Sequence, residues 1–121
     1  MKTILIVDDE VDVRDILRIR FATTPGFRTL EAANGNDALE LAKQQHPDLI
    51  ILDWLMPGLN GIEVLKALRA SAELSAIPVI MMTVKVEPSA QAEGRAMGVI
   101  AYLTKPFDSD KLMETVQKAL E

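Results

Sequence analysis

Apolar residues run unbroken at Ile4-Leu5-Ile6-Val7, Leu49-Ile50-Ile51-Leu52, Val79-Ile80-Met81-Met82 and through 99–103. Continuous runs this short predict strands buried on both faces, and between them the apolar spacing becomes that of amphipathic helices. Val13, Ile16, Leu17, Ile19 and Phe21 are expected to form the inward side of a first helix, with Asp12, Asp15 and Arg18 on the other side. The last helix repeats the pattern with Leu112, Val116, Ala119 and Leu120, and Asp108 is placed to cap its N-terminus. Three more helices are predicted over 36–45, 62–70 and 88–97, punctuated by Pro47, Gly58, Pro78, Gly98 and Pro106. The segment 27–32 alternates more than the other runs, which places it nearer the sheet edge. Five strands alternating with five helices predict an α/β fold: an open, doubly wound parallel sheet with helices on both faces and right-handed crossovers.

The polar residues that interrupt this pattern fall in equivalent places. Asp8-Asp9 follow the first strand, Asp53 the third, Thr83 the fourth, and Lys105-Pro106 the last. In doubly wound sheets ligands bind beyond the carboxyl ends of the strands, where the strand order reverses, so these residues predict the functional edge. Three carboxylates brought within about 4 Å repel by roughly 4 kcal/mol per pair at an effective dielectric near 20, and a cation must compensate. Mg2+ suits best, because it takes one or two carboxylates, keeps waters and leaves room for a phosphate. Asp8, Asp9 and Asp53 are the candidate ligands, and the backbone carbonyl of Leu55 can add another. His46 stands alone before Pro47 and reads as a helix end, not a ligand.

Asp53, held where a buried strand gives way to a Pro/Gly loop, has the placement of a nucleophile that can accept a phosphoryl group as an acyl phosphate. Phosphoryl transfer depends mostly on positioning and charge neutralisation, a task for the Lys105 ammonium. The Thr83 hydroxyl can donate to a phosphoryl oxygen. Tyr102 alone reads as a packing residue of the last strand.

Composition narrows the classes. At 121 residues and 49% hydrophobic content, the chain is expected to form one domain over 1–121, without repeat or linker. Cysteine is absent, which excludes disulfides and thiolate metal sites and suits the cytoplasm. A net charge of −5 argues against direct nucleic-acid binding. No apolar run approaches the roughly 20 residues of a membrane span.

Asp8-Asp9, the run Asp53-Trp54-Leu55-Met56-Pro57-Gly58-Leu59-Asn60-Gly61, Thr83 and Tyr102-Leu103-Thr104-Lys105-Pro106-Phe107 together resemble the receiver domain of two-component response regulators, including its single-domain chemotaxis members. The resemblance spans the whole chain. It implies a flavodoxin-like sheet of order 2-1-3-4-5 and a cis Lys105-Pro106 peptide. It further implies a phosphoacceptor signalling switch: Asp53 takes a phosphoryl group from a sensor histidine kinase or histidine phosphotransfer protein, with Mg2+, or Mn2+ as substitute, organised by Asp8 and Asp9. Thr83 and Tyr102 would form the switch, acting on the face made by the fourth helix, fifth strand and fifth helix, and through it on a downstream protein or attached output domain. No enzyme activity beyond Mg-assisted self-phosphorylation and self-dephosphorylation is implied.

The chain departs from the family at Val84, where Ala or Gly is usual, and a branched side chain there is expected to crowd attacking water and lengthen the acyl-phosphate lifetime. Lys85 and Leu55 also flank the site at lifetime-modulating positions. Ala101 and Thr115 replace the Asp and Arg used in one symmetric receiver dimer, so those ion pairs cannot form. Competing readings are a flavodoxin-like cofactor binder, whose phosphate Asp8-Asp9-Glu10 would repel, an Asp-nucleophile phosphatase, whose Asp-x-Asp after the first strand is missing, and a receiver-like interaction module not regulated by phosphorylation.

Overall fold

The computed structural model describes residues 1–84 and 87–121, so Lys85 lies outside the described residues. The strands β1 (Lys2–Val7), β2 (Phe27–Ala32), β3 (Leu49–Asp53), β4 (Val79–Thr83) and β5 (Val99–Thr104) alternate with the helices α1 (Val11–Ala22), α2 (Gly35–Gln45), α3 (Gly61–Ala70), α4 (Pro88–Ala96) and α5 (Ser109–Ala119). All neighbouring strands are parallel, in the order β2-β1-β3-β4-β5. The alternating strand is an edge strand, and the continuously apolar β3 and β4 are buried at every position.

Period-2 alternation along each strand divides the core in two. Leu5, Val7, Ile50, Leu52, Val79 and Met81 join the cluster that takes in Ala38, Ala42, Val64 and Leu68 of α2 and α3. Ile4, Ile6, Leu49, Ile51, Ile80 and Met82 join the cluster built with Leu17 and Phe21 of α1 and Leu112, Met113 and Val116 of α5.

Helix ends follow local chemistry. Asn60 and Glu63 form a capping box at α3, Asn34 caps α2 by accepting from the Asp37 amide, and Asp108 accepts from the Asp110 and Lys111 amides at α5. His46 ends α2 in the left-handed conformation at φ 46°, directly before Pro47. The Lys105-Pro106 peptide is cis.

One expectation is corrected. In α1 only Leu17 and Phe21 are buried, while Ile16 and Ile19 are 55% and 56% exposed. At about 100° per residue Leu17 and Phe21 point within one narrow sector towards the sheet, and Ile16 and Ile19 turn away from it together with Asp12. No helix among the described residues is long and apolar enough to cross a membrane.

Candidate functional site

Sheet register builds the site. Val7 pairs with Leu52, so the next residues, Asp8 just past β1 and Asp53 at the end of β3, lie side by side at the carboxyl edge of the sheet. Asp53 pairs with Met82 and Thr83 with Thr104, which brings the ends of β4 and β5 to the same edge. The Lys105 amide donates to the Thr83 carbonyl at 2.7 Å and extends that pairing by one step. The turn after Asp53 is closed by the Gly61 amide, which donates to the Trp54 carbonyl at 2.8 Å. A Cβ at Gly61 would lie 2.6 Å from the Asp53 carbonyl oxygen and 2.8 Å from Trp54 Cα, so glycine is what lets α3 start this close to Asp53.

Asp8, Asp9, Glu10 and Asp53 each bring a carboxylate oxygen to within 4.8 Å of the others. Asp8 and Asp53 are buried, and Asp9 and Glu10 are exposed. One ammonium faces all but Asp9: Lys105 Nζ lies 2.7 Å from Asp8 Oδ2, 3.1 Å from Glu10 Oε1 and 3.3 Å from Asp53 Oδ2. Apart from this ionic contact, Asp8 Oδ2 has no hydrogen bond of regular geometry among the described residues. At about 4.8 Å and an effective dielectric near 20, each like-charge pair costs roughly 3 to 4 kcal/mol, and one lysine does not offset four carboxylates.

The electrostatics follow from this imbalance. Burial, then the Asp8 charge, pushes the Asp53 carboxyl up to about 6, with Lys105 and the Leu55 amide opposing. For Lys105, burial disfavours the charged form, but hydrogen bonds to Asp8 and Glu10 and the charges of Asp53 and Asp8 outweigh it and hold the group above its ordinary value. Arg14 Nη1 donates to the Asp8 carbonyl at 2.7 Å, and Asp8 Oδ1 accepts from the Glu10 amide at 2.9 Å, so the backbone of the acidic turn is fixed from both sides.

Leu55 presents its amide to Asp53 Oδ1 at 3.4 Å and leaves its side chain exposed. Thr83 is buried, and its Oγ1 has no hydrogen-bond partner among the described residues. Tyr102 stands apart from the carboxylates: its ring packs against the α2–α3 core, and its hydroxyl donates to the Gln91 carbonyl of α4 at 3.2 Å. Glu10 was not anticipated as a member of the cluster. The available signal was its place directly after the acidic pair, but the partner that draws it in, Lys105, lies 95 positions away.

The family model described as response regulator receiver domain matches residues 4–117. The chain belongs to the response regulator receiver family. Protein PilH of Pseudomonas aeruginosa is 40% identical over 120 residues, covering 99% of this chain and 98% of PilH. The phosphate regulon transcriptional regulatory protein PhoB of the same organism is 38% identical over 119 residues, and there the chain spans 52% of the relative's length. The structure of the Vibrio cholerae chemotaxis protein CheY4 superposes with a TM-score of 0.90 at 33% identity, covering 99% of both chains. Receiver domains are signalling switches, not classical enzymes, and they bind Mg2+ through an acidic pocket. In this receiver the carboxylates at the carboxyl edge of β1 and β3 form a cluster that could hold a metal ion.

Proposed function

We propose that residues 1–121 form one receiver domain that works in the cytoplasm as a phosphoacceptor switch, with Asp53 as the acceptor. The observation that carries this is the setting of Asp53: a buried carboxylate at a sheet edge, 3.3 Å from Lys105 Nζ and within 4.8 Å of three further carboxylate groups. The like charges gathered here repel one another beyond what Lys105 offsets, and a divalent cation would relieve them. Asp8, Asp9 and Asp53 would hold Mg2+, with the Leu55 carbonyl as a further ligand. When bound, the ion supplies charge neutralisation to the phosphoryl oxygens.

The remaining chemistry belongs to this chain's own side chains. An Asp53 carboxylate oxygen attacks the phosphorus of a phosphohistidine on a kinase or phosphotransfer protein. The new O–P bond forms as the N–P bond breaks, and the imidazole keeps the electron pair and takes up a proton. Lys105, whose Nζ lies 3.3 Å from Asp53 Oδ2, would reach a phosphoryl oxygen there. A groove lined by Glu10, Val13, Ile16, Val84, Lys105 and Phe107 adjoins the site and gives the donor an apolar approach, which accounts for Ile16, one of the two exposed isoleucines of α1. Thr83, whose hydroxyl has no hydrogen-bond partner among the described residues, donates to the new phosphoryl group, and Tyr102 responds, altering the surface of α4, β5 and α5 that the downstream partner reads.

Trp54, the sole tryptophan, adjoins Asp53 and reports on the site. Its emission is expected to change on addition of Mg2+ and again on addition of beryllofluoride, the second change being lost in Asp53→Asn. Emission indifferent to both additions contradicts the proposal.

A further inference from the structure

Gly94 sits buried inside α4, where glycine costs a helix roughly 0.5 to 1 kcal/mol relative to alanine. No left-handed backbone requires it. Its neighbours do: a Cβ at position 94 would fall on the Tyr102 hydroxyl oxygen, far inside van der Waals contact. It would also lie 3.1 Å from Tyr102 Cζ and 3.4 Å from Val99 Cγ2.

The same tyrosine is held by the turn of α4 around that gap. The Tyr102 hydroxyl donates to the Gln91 carbonyl at 3.2 Å, one helical turn before Gly94, and the Arg95 guanidinium lies over the ring at 5.2 Å from its centroid. Within one helical turn a carbonyl accepts from the hydroxyl, the gap at Gly94 takes in the hydroxyl oxygen and the ring tip, and a guanidinium covers the ring face. Thr83 lies on the same side of the sheet as Met81, the side against which Tyr102 packs, and its hydroxyl is a buried polar atom without a partner among the described residues.

We propose that Gly94 is a positioning residue for the switch: the absent side chain leaves a notch in α4 that seats the Tyr102 hydroxyl in the unphosphorylated state, and any side chain there expels the ring. This rests on the functional reading of Thr83 and Tyr102 above. With the ring expelled, the resting state loses its hydrogen bond to Gln91 and its stacking under Arg95, and the balance shifts towards the state favoured by a phosphoryl group on Asp53.

Tyr102 is the sole tyrosine, so tyrosinate absorbance reports on it alone. Burial, with Glu93 adding to it and Arg95 opposing, raises the phenol above its ordinary value. In Gly94→Ala the phenol is expected to titrate away from its value in the parent protein, because the displaced ring leaves the burial and the Arg95 and Glu93 charges that set it. An unchanged titration overturns the notch. A double-mutant cycle in urea gives a second test that does not depend on phosphorylation. Gly94→Ala is expected to destabilise the parent more than it destabilises Tyr102→Phe, which lacks the clashing oxygen. Equal effects in the two backgrounds, or a failure of both chains carrying Gly94→Ala to fold, assign Gly94 to backbone packing and overturn the proposal. If only the chain retaining Tyr102 fails to fold, the notch is supported.

The switch role has its own readout. In the presence of Mg2+, half-saturation by beryllofluoride, followed by Trp54 emission, is expected at a concentration lower in Gly94→Ala by on the order of fivefold. An equal or higher concentration overturns the resting-state assignment. If the parent itself gives no beryllofluoride response, the receiver reading of Asp53 fails and the switch role with it, while titration and cycle still decide whether the notch exists.

Discussion

Removing the charge of Asp53 is expected to stabilise the fold. Its carboxyl is raised from 3.8 to about 6, by burial first and the Asp8 charge second, with Lys105 compensating only in part. Below the unfolded value both states hold the proton and the favourable contribution is complete. Between that value and about 6 the folded chain keeps a proton that the unfolded chain has released, so stability falls as pH rises through this window. Above it, the anionic Asp53 costs the fold about 3 kcal/mol, at roughly 1.4 kcal/mol per pH unit. Relaxation and residual structure in the unfolded chain reduce what is measured to about 1 to 3 kcal/mol. Asp53→Asn carries no charge at any pH. In urea unfolding with EDTA, the variant is expected to be more stable than the parent by that amount near neutral pH, with the difference vanishing near about pH 4. Saturating Mg2+ is expected to narrow or invert the neutral-pH difference, because a ligand at about 100 times its Kd adds about 2.7 kcal/mol to the state that binds it. A variant less stable than the parent in EDTA, or a difference that does not depend on pH, would refute the electrostatic account of the cluster.

Lys105→Met leaves buried Asp8 and Asp53 without their ammonium and is expected to destabilise the metal-free protein by about 2 to 4 kcal/mol. Mg2+ should then restore more stability to the variant than it adds to the parent, and equal increments in paired urea curves contradict this. Val84 is exposed beside the site, and Val84→Ala is expected to shorten the lifetime of the phosphorylated protein by opening the path of attacking water. Unchanged or slower loss of the phosphoryl group in the variant contradicts that role. Arg69 of α3 donates to the carbonyls of Met97 at 2.7 Å, Ile77 at 2.8 Å and Ser75 at 3.0 Å, tying the end of α4 to the turn before β4. Arg69→Met strands these acceptors and is expected to cost about 2 to 3 kcal/mol in urea, whereas a loss under about 0.5 kcal/mol shows that water replaces the guanidinium.

The five strands and five helices were legible because the two kinds of spacing do not overlap: unbroken apolar runs cannot sit on one helix face, and the runs between them cannot sit in a buried strand. The site was legible for a related reason, since Asp8, Asp53, Thr83 and Lys105 stand where each run stops, and parallel register carries all four stops to one edge. What stayed hidden depended on distance in sequence or on direction in space. Ile16 and Ile19 satisfy a helical period, but periodicity alone does not tell a face turned to the sheet from a neighbouring face left exposed. Glu10 joins the cluster through Lys105, and Arg69 finds its acceptors in the ends of two other elements, relations that exist only after the sheet is assembled. A glycine inside α4 was visible, but its reason, a tyrosine hydroxyl from β5, was not.

Incubating the protein with Mg2+ and acetyl phosphate and weighing it intact tests the central claim most directly. The account predicts a mass gain of one phosphoryl group, absent without Mg2+ and absent in Asp53→Asn. No gain under any of these conditions, or a gain that survives Asp53→Asn undiminished, would contradict it.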